Sequence, residues 1–388
     1  MHFRWREATG ARRAQTVPMI RRRAAGLVLV LVFAVVLAAG GALTAPSAAP
    51  QQQLSTRQLA GQRVIYSYPG LTPPATLLEK IRAGEAAGVI FFGENIASRA
   101  QIRGVIGKLQ QAAAQSPVKA PLLLMTDQEG GTVRRLTGAP AVSEKRVGAA
   151  ADSTSAAEQA GRGAGLNLKG VGMNVNLAPV LDVYRAPGNF IERFGRSYSR
   201  SPRTVARLGV DFIRAQQRTG VAATAKHFPG LGAATRTQNT DESPVTLRLS
   251  LGTLRAVDEL PYSSAVASAV RLVMVSSATY PALDPGGPAG LSSAVVQGEL
   301  RKRLKFAGVT ISDALEAGAL RAFGSVSNRA VLAARAGIDL LLCSARSVQQ
   351  GTSAVSALAA ARRSGRLNAS SFDAAAKRVI ALRSALAG

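Results

Sequence analysis

Eight short, almost wholly apolar runs recur along this chain, each separated from the next by a longer stretch: RVIYSY from 63, AGVIFFG from 87, PLLLMTD from 121, MNVNLAPVLDV from 173, GVAATAKHF from 220, RLVMVSS from 271, GVTISD from 308 and GIDLLLC from 337. A strand with one wet face alternates apolar and polar residues, so a run that is apolar throughout must be covered on both faces. The segments between, such as ATLLEKIRAG, SRAQIRGVIGKLQQAAA, SPRTVARLGVDFIRAQQRTG and VSNRAVLAARAG, repeat apolar residues at the helical period and carry their charges on the other face. Strand and helix alternating eight times predict an α/β protein of the (β/α)8 TIM-type barrel class, with a doubly wound open sheet as the rival. The chain has 388 residues, 47% of them hydrophobic, enough to bury a core of that size.

The polar residues favour the barrel. Each run ends in groups able to do chemistry: Glu94, Asp127, Asp182, Lys226 with His227, Ser276 with Ser277, and Asp313. In a (β/α)8 barrel the C-terminal ends of the strands converge on one mouth, where the active site lies. The single cysteine, Cys343, forms no internal disulfide and sits in an apolar run, so it reads as a packing residue. No cluster has metal-ligand spacing and GLG lacks the dinucleotide pattern, so neither a metal nor an organic cofactor is implied.

The N-terminus reads as an export signal or membrane anchor. Arg12, Arg13 and the run Arg21 to Arg23 precede an apolar stretch from Ala24 to Leu43, followed by the small-residue segment TAPSAAPQQQ. We place this leader at residues 1–50 and the barrel domain at 51–388, and expect an exported protein, anchored at the membrane or secreted to the cell envelope. The leader contains seven arginines and one acid, so +20 of the net charge of +26 belongs to the rest. No zinc-ligand spacing, aromatic RNA-binding signature or basic-leucine heptad accompanies that charge, which argues against a specific nucleic-acid partner. A diffuse positive field suits an anionic cell envelope.

Five motifs in order, TDQEGGTVRRL (126–136), GMNVNLAPVLDV (172–183), RSYSRSP (196–202), AKHFPGLG (225–232) and VTISDALEAGAL (309–320), resemble the single-barrel branch of glycoside hydrolase family 3, which contains bacterial β-N-acetylhexosaminidases. The resemblance runs over roughly residues 55–385. It implies a retaining hydrolase of terminal β-linked N-acetylhexosamine, from cell-wall or related glycans, with Asp313 as the nucleophile that forms a glycosyl-enzyme. By the same resemblance Asp127, Arg196, Lys226 and His227 bind the hydroxyls of the terminal sugar. The local alternatives are that Asp313 merely caps a helix starting near Ala314, that Arg196 makes a surface ion pair, and that His227 is a satisfied core residue.

The chain departs from the family in one loop. Where the branch carries an Asp-His dyad as general acid/base, KHFPGLGAATRTQN has Thr237 and Asn239, and Leu231 replaces a loop histidine. Neither a hydroxyl nor an amide can cycle a proton near neutral pH. Two outcomes follow: Asp241 or Glu242, on a mobile loop with Gly230 and Gly232 as hinges, supplies the acid, or the barrel binds sugar with little or no turnover.

Overall fold

The computed structural model describes residues 53–387, so the basic, apolar segment at 1–50 lies outside the described residues. Every one of the eight apolar runs contains a strand: β1 (Val64–Tyr66), β2 (Gly88–Ile90), β3 (Leu123–Thr126), β6 (Val175–Asn176), β7 (Ala222–Phe228), β8 (Leu272–Val275), β9 (Val309–Ser312) and β10 (Leu341–Leu342). A small antiparallel hairpin, β4 (Gln128–Gly130) with β5 (Val133–Arg134), follows β3 directly. The eight strands form one parallel sheet in the order β10-β1-β2-β3-β6-β7-β8-β9. A parallel bridge between Ile311 and Leu340 joins its two ends. The ring runs in sequence order, as a barrel requires, which removes the open doubly wound sheet.

The period-2 geometry of strands sorts the side chains. Leu123 and Met125 of β3 point into the barrel with Ile65, Ile90, Val175, Leu272, Met274, Ile311 and Leu342, while the neighbouring Leu122 and Leu124 pack outward against the helices. This is why the runs are apolar without alternation. The four segments of helical period become the helices Ala75–Arg82, Arg99–Ala114, Pro202–Gln217 and Val326–Ala336. Ser201 shows how such a helix starts: its hydroxyl accepts the Thr204 N–H at 3.3 Å, and Pro202 takes the first helical position, where it sacrifices no hydrogen bond.

One end of the barrel is sealed. The C-terminal helix, Ala369–Ala385, sends Val379 and Leu382 into the barrel core. The guanidinium of its buried Arg383 donates to the carbonyls of Ala120 and Pro121 at 2.7 and 2.8 Å. Arg63 is equally buried, donating to Ile338 O and Asp339 O with Phe372 stacked under it at 4.5 Å. Buried arginines are tolerated here because carbonyl oxygens satisfy them. The opposite end, where β3, β7 and β9 terminate, stays open.

Candidate active site

A cavity of about 380 Å³ occupies the open end, within the size range of small-ligand sites. Its floor is apolar: Ile90, Leu177, Met274 and Leu342 form the last layer of the barrel core. Its walls are charged. Asp127, Arg196, Lys226, His227, Asp241 and Asp313 all line it, so the fold brings six of the seven candidate residues together. Glu242 is the exception.

Asp127 follows the end of β3, and Lys226 and His227 lie within β7. The Lys226 side chain is only 2% exposed, and its Nζ is 2.7 Å from Asp127 Oδ1 and 2.7 Å from Glu129 Oε1. Arg196 grips the same Glu129 with Nε and Nη2 at 2.8 and 2.9 Å. The result is an alternating chain, Asp127–Lys226–Glu129–Arg196. Burial on its own would raise the Glu129 pKa, but Arg196 and Lys226 outweigh it and hold the carboxyl at about 2. Burial likewise opposes the Lys226 charge, and Asp127 and Glu129 overcome it, leaving the ammonium firmer than in water. Arg196 therefore does not make the surface ion pair that the sequence allows; its partner is buried.

His227 gives its Nδ1 to Asp182 Oδ2 at 2.8 Å, so Nε2 is the ring nitrogen left for a ligand. Asp182, fully buried, also accepts the Leu231 N–H at 2.6 Å, tying the start of the next loop to the imidazole. Asp313 follows β9. Its Oδ1 accepts the Ala314 N–H at 2.8 Å, yet no helix begins there, the next helical turn being Gly318–Phe323. The helix-cap alternative for Asp313 is thereby removed.

The loop from 230 to 250 departs from expectation in one respect. Gly230 and Gly232 are closely packed: a Cβ on Gly232 would stand 2.1 Å from the Val183 carbonyl oxygen, and one on Gly230 2.8 Å from Asp258 Cβ, with Gly230 also at a φ of +140°. These glycines allow tight packing. Asn239, at the position of the dyad histidine, builds a turn instead, its Oδ1 accepting the Asp241 N–H at 3.0 Å and its Nδ2 donating to Glu242 Oε1 at 2.9 Å. That turn aims Asp241 at the cavity and keeps the exposed Glu242 out of the lining. Asp241 sits on an exposed rim, but the cavity walls withhold enough water to raise its pKa, and Asp313 and Glu316 add repulsion. His227 and Arg196 pull the other way, and the group comes to rest at about 6.

Three lining or supporting groups escaped sequence reasoning. Arg135 lines the cavity on the hairpin, its Nε buried without a partner and its guanidinium in no ion pair among the described residues. Glu316 also lines it, its carboxylate accepting from Gln350 Nε2 at 2.8 Å and from the Ser344 hydroxyl. Glu129 is the hidden link of the charge chain. Arg135 and Glu129 lie inside TDQEGGTVRRL, so the signal was their place in a motif. In a chain with 48 lysines and arginines, however, a single arginine stands out little.

A barrel whose mouth gathers carboxylates beside a charged, sugar-sized cavity has the layout of a glycoside hydrolase. The family description "Glycosyl hydrolase family 3 N terminal domain" matches residues 52–382. The chain belongs to glycoside hydrolase family 3 and is a glycoside hydrolase. It is 46% identical over 341 residues to an uncharacterized secreted glycosyl hydrolase of Arthroderma benhamiae, covering 87% of this chain and 96% of that one. It is 34% identical to a beta-hexosaminidase of Xylella fastidiosa, with 74% and 84% covered. Among solved structures, a family 3 beta-N-acetylglucosaminidase from Paenibacillus superposes with a TM-score of 0.81 at 36% identity, covering 86% of this chain and 63% of that one. The beta-N-acetylhexosaminidase of Beutenbergia cavernae gives 0.77 at 30%, covering 85% of this chain and 99% of that one.

Proposed function

We propose that this protein is a retaining β-N-acetylhexosaminidase that removes a terminal β-linked N-acetylhexosamine from cell-wall or related glycans. The observation that carries the reading is the meeting of Asp313 and Asp241 in one cavity with the Asp127–Lys226–Glu129–Arg196 chain. Asp127, Lys226, Arg196, Arg135 and His227 hold the sugar by its hydroxyls, charged donors and acceptors discriminating strongly against ligands that lack them. Asp313 attacks the anomeric carbon as the glycosidic bond breaks, giving a glycosyl-enzyme. Asp241 gives its proton to the departing oxygen, then takes one from the water that releases the sugar. A carboxyl near pH 6 stands in for the missing Asp-His dyad.

The test is leaving-group dependence. Asp241→Ala will lower turnover of diacetylchitobiose about 10²–10⁴-fold, spare 2,4-dinitrophenyl N-acetylglucosaminide in its first step, and regain the second step with azide. In the unmutated enzyme kcat/KM on the disaccharide will fall as pH rises through about 6, because the donor must be protonated. Equal losses on both substrates would place the proton donor elsewhere. Binding of N-acetylglucosamine without any turnover would make the protein a sugar-binding barrel.

The same proposal places the protein outside the cytoplasm, its leader at 1–50 and its barrel domain at 51–388, close to anionic envelope polymers. Among the described residues no helix is long and apolar enough to cross a membrane. Four exposed arginines, Arg203, Arg207, Arg214 and Arg218, recur along one face of helix Pro202–Gln217 and its C-terminal cap. None of them makes an ion pair within 4 Å among the described residues, and the one acid on that helix, Asp211, leaves the face net positive, which suits an anionic polymer. Cell fractionation will find the chain in the envelope or medium, and a full-length cytoplasmic pool would overturn this placement.

A further inference from the structure

The segment that carries Asp313 is also the seat of the turn that carries Asp241. The Gly318 N–H donates to the Asp241 carbonyl at 2.8 Å, and the Ala319 N–H to the Thr240 carbonyl at 3.0 Å. A Cβ on Gly318 would fall 2.0 Å from the Glu242 carbonyl oxygen, 2.2 Å from its carbonyl carbon and 2.9 Å from the Asp241 carbonyl oxygen. Those neighbours are backbone, so no flexible side chain can yield to make room. The turn is held from within as well, since the Glu242 and Ser243 N–H groups both donate to the Asn239 carbonyl, at 3.2 and 3.0 Å.

The seat is part of the barrel rim. The Ser312 N–H donates to Leu340 O, that of Asp313 to Val275 O and that of Leu315 to Leu342 O, at 3.0, 3.2 and 3.1 Å. Backbone hydrogen bonds to both neighbouring strands thus hold the stretch between the nucleophile and Gly318. We infer that Gly318 is a positioning residue. By having no side chain it lets the 239–242 turn lie directly on the nucleophile's own segment, which fixes the spacing of Asp241 from Asp313 before any substrate arrives. A retaining mechanism needs its two carboxyls about 5–5.5 Å apart. Here the spacing comes from backbone contact rather than from closure of a lid. The inference rests on Asp241 being the proton donor.

The test uses the full chain carrying Gly318→Ala. One methyl group must push the turn outward, and misplacement by about 1 Å can cost on the order of 10² in rate. That loss is expected in kcat/KM on diacetylchitobiose, with a change of less than about fivefold on 2,4-dinitrophenyl N-acetylglucosaminide, which needs little proton transfer. The basic limb of the pH profile will also move to lower pH, because Asp241 is carried away from the repulsion of Asp313. If Gly318→Ala does not fold, Ala319→Pro removes the second seat hydrogen bond without adding bulk at Gly318, and the same leaving-group pattern is expected. Equal losses on the two substrates, or no loss on either, would overturn the inference. Asp241→Ala run in parallel separates the two claims. Leaving-group dependence there but in neither seat variant overturns the role of Gly318 and leaves the proton donor standing. Its absence from all three overturns both.

Discussion

Asp313→Asn will turn over neither aryl glycosides nor disaccharides at a measurable rate, a loss of about four to six orders of magnitude by analogy with removal of other nucleophiles. The fold will survive. Asp313 is only half-buried, and its one side-chain hydrogen bond, accepted from the Ala314 N–H, can also be made by an amide oxygen. Thermal unfolding of variant and parent will therefore coincide. A 5-fluoro N-acetylglucosaminyl fluoride, which keeps the 2-acetamido group and has a good leaving group, will label the unmutated chain at Asp313, as peptide mass analysis can read. Substantial activity in Asp313→Ala would require another carboxylate to attack the sugar, and among the described residues only Asp127, Asp241 and Glu316 also line the cavity.

Lys226→Met will be costly in a different way. The methionine fills the volume but leaves Asp127 and the buried Glu129 without the cation that lies 2.7 Å from each. Breaking a buried ion pair by removing one partner typically costs about 3–5 kcal/mol, more than the favourable packing of the thioether returns. Urea unfolding will report a loss of that order, and KM for N-acetylglucosaminides will rise together with it. Replacing Asp127 by Asn should cost much less stability, because Arg196 and Lys226 still hold Glu129. A Lys226→Met protein as stable as the parent would mean that the charge chain contributes nothing to the fold.

The barrel was legible in the sequence because burial on both faces of a strand leaves a run such as PLLLMTD with no alternation. The cavity-lining residues were legible for a related reason. Asp127, Lys226 with His227, and Asp313 are charges placed at the ends of apolar runs, where the topology gathers them. Two things were not legible. The choice of Asp241 over Glu242 depends on a turn centred on Asn239, and adjacent acids in NTDES carry no mark of which faces inward. The seating of that loop depends on Gly318, some seventy-five residues away, since a seat made of backbone atoms leaves little trace in side-chain patterns. The hinge reading of Gly230 and Gly232 likewise left out close approach: Gly232 packs against the Val183 backbone, and Gly230 combines a tight contact with Asp258 and a φ of +140°.

The chain Asp127–Lys226–Glu129–Arg196 alternates two anions with two cations, so the heart of the site is electrically balanced in a protein whose formal charge is +26. Mobile ions screen exposed arginines over about 10 Å at 0.1 M salt but reach buried pairs far less. Where the enzyme resides and how fast it cleaves an uncharged glycoside are therefore governed by separate electrostatics. If the proposed envelope placement holds, raising the ionic strength will detach the protein from anionic polymers while leaving kcat/KM for a small neutral substrate nearly unchanged, so that address and chemistry are separable.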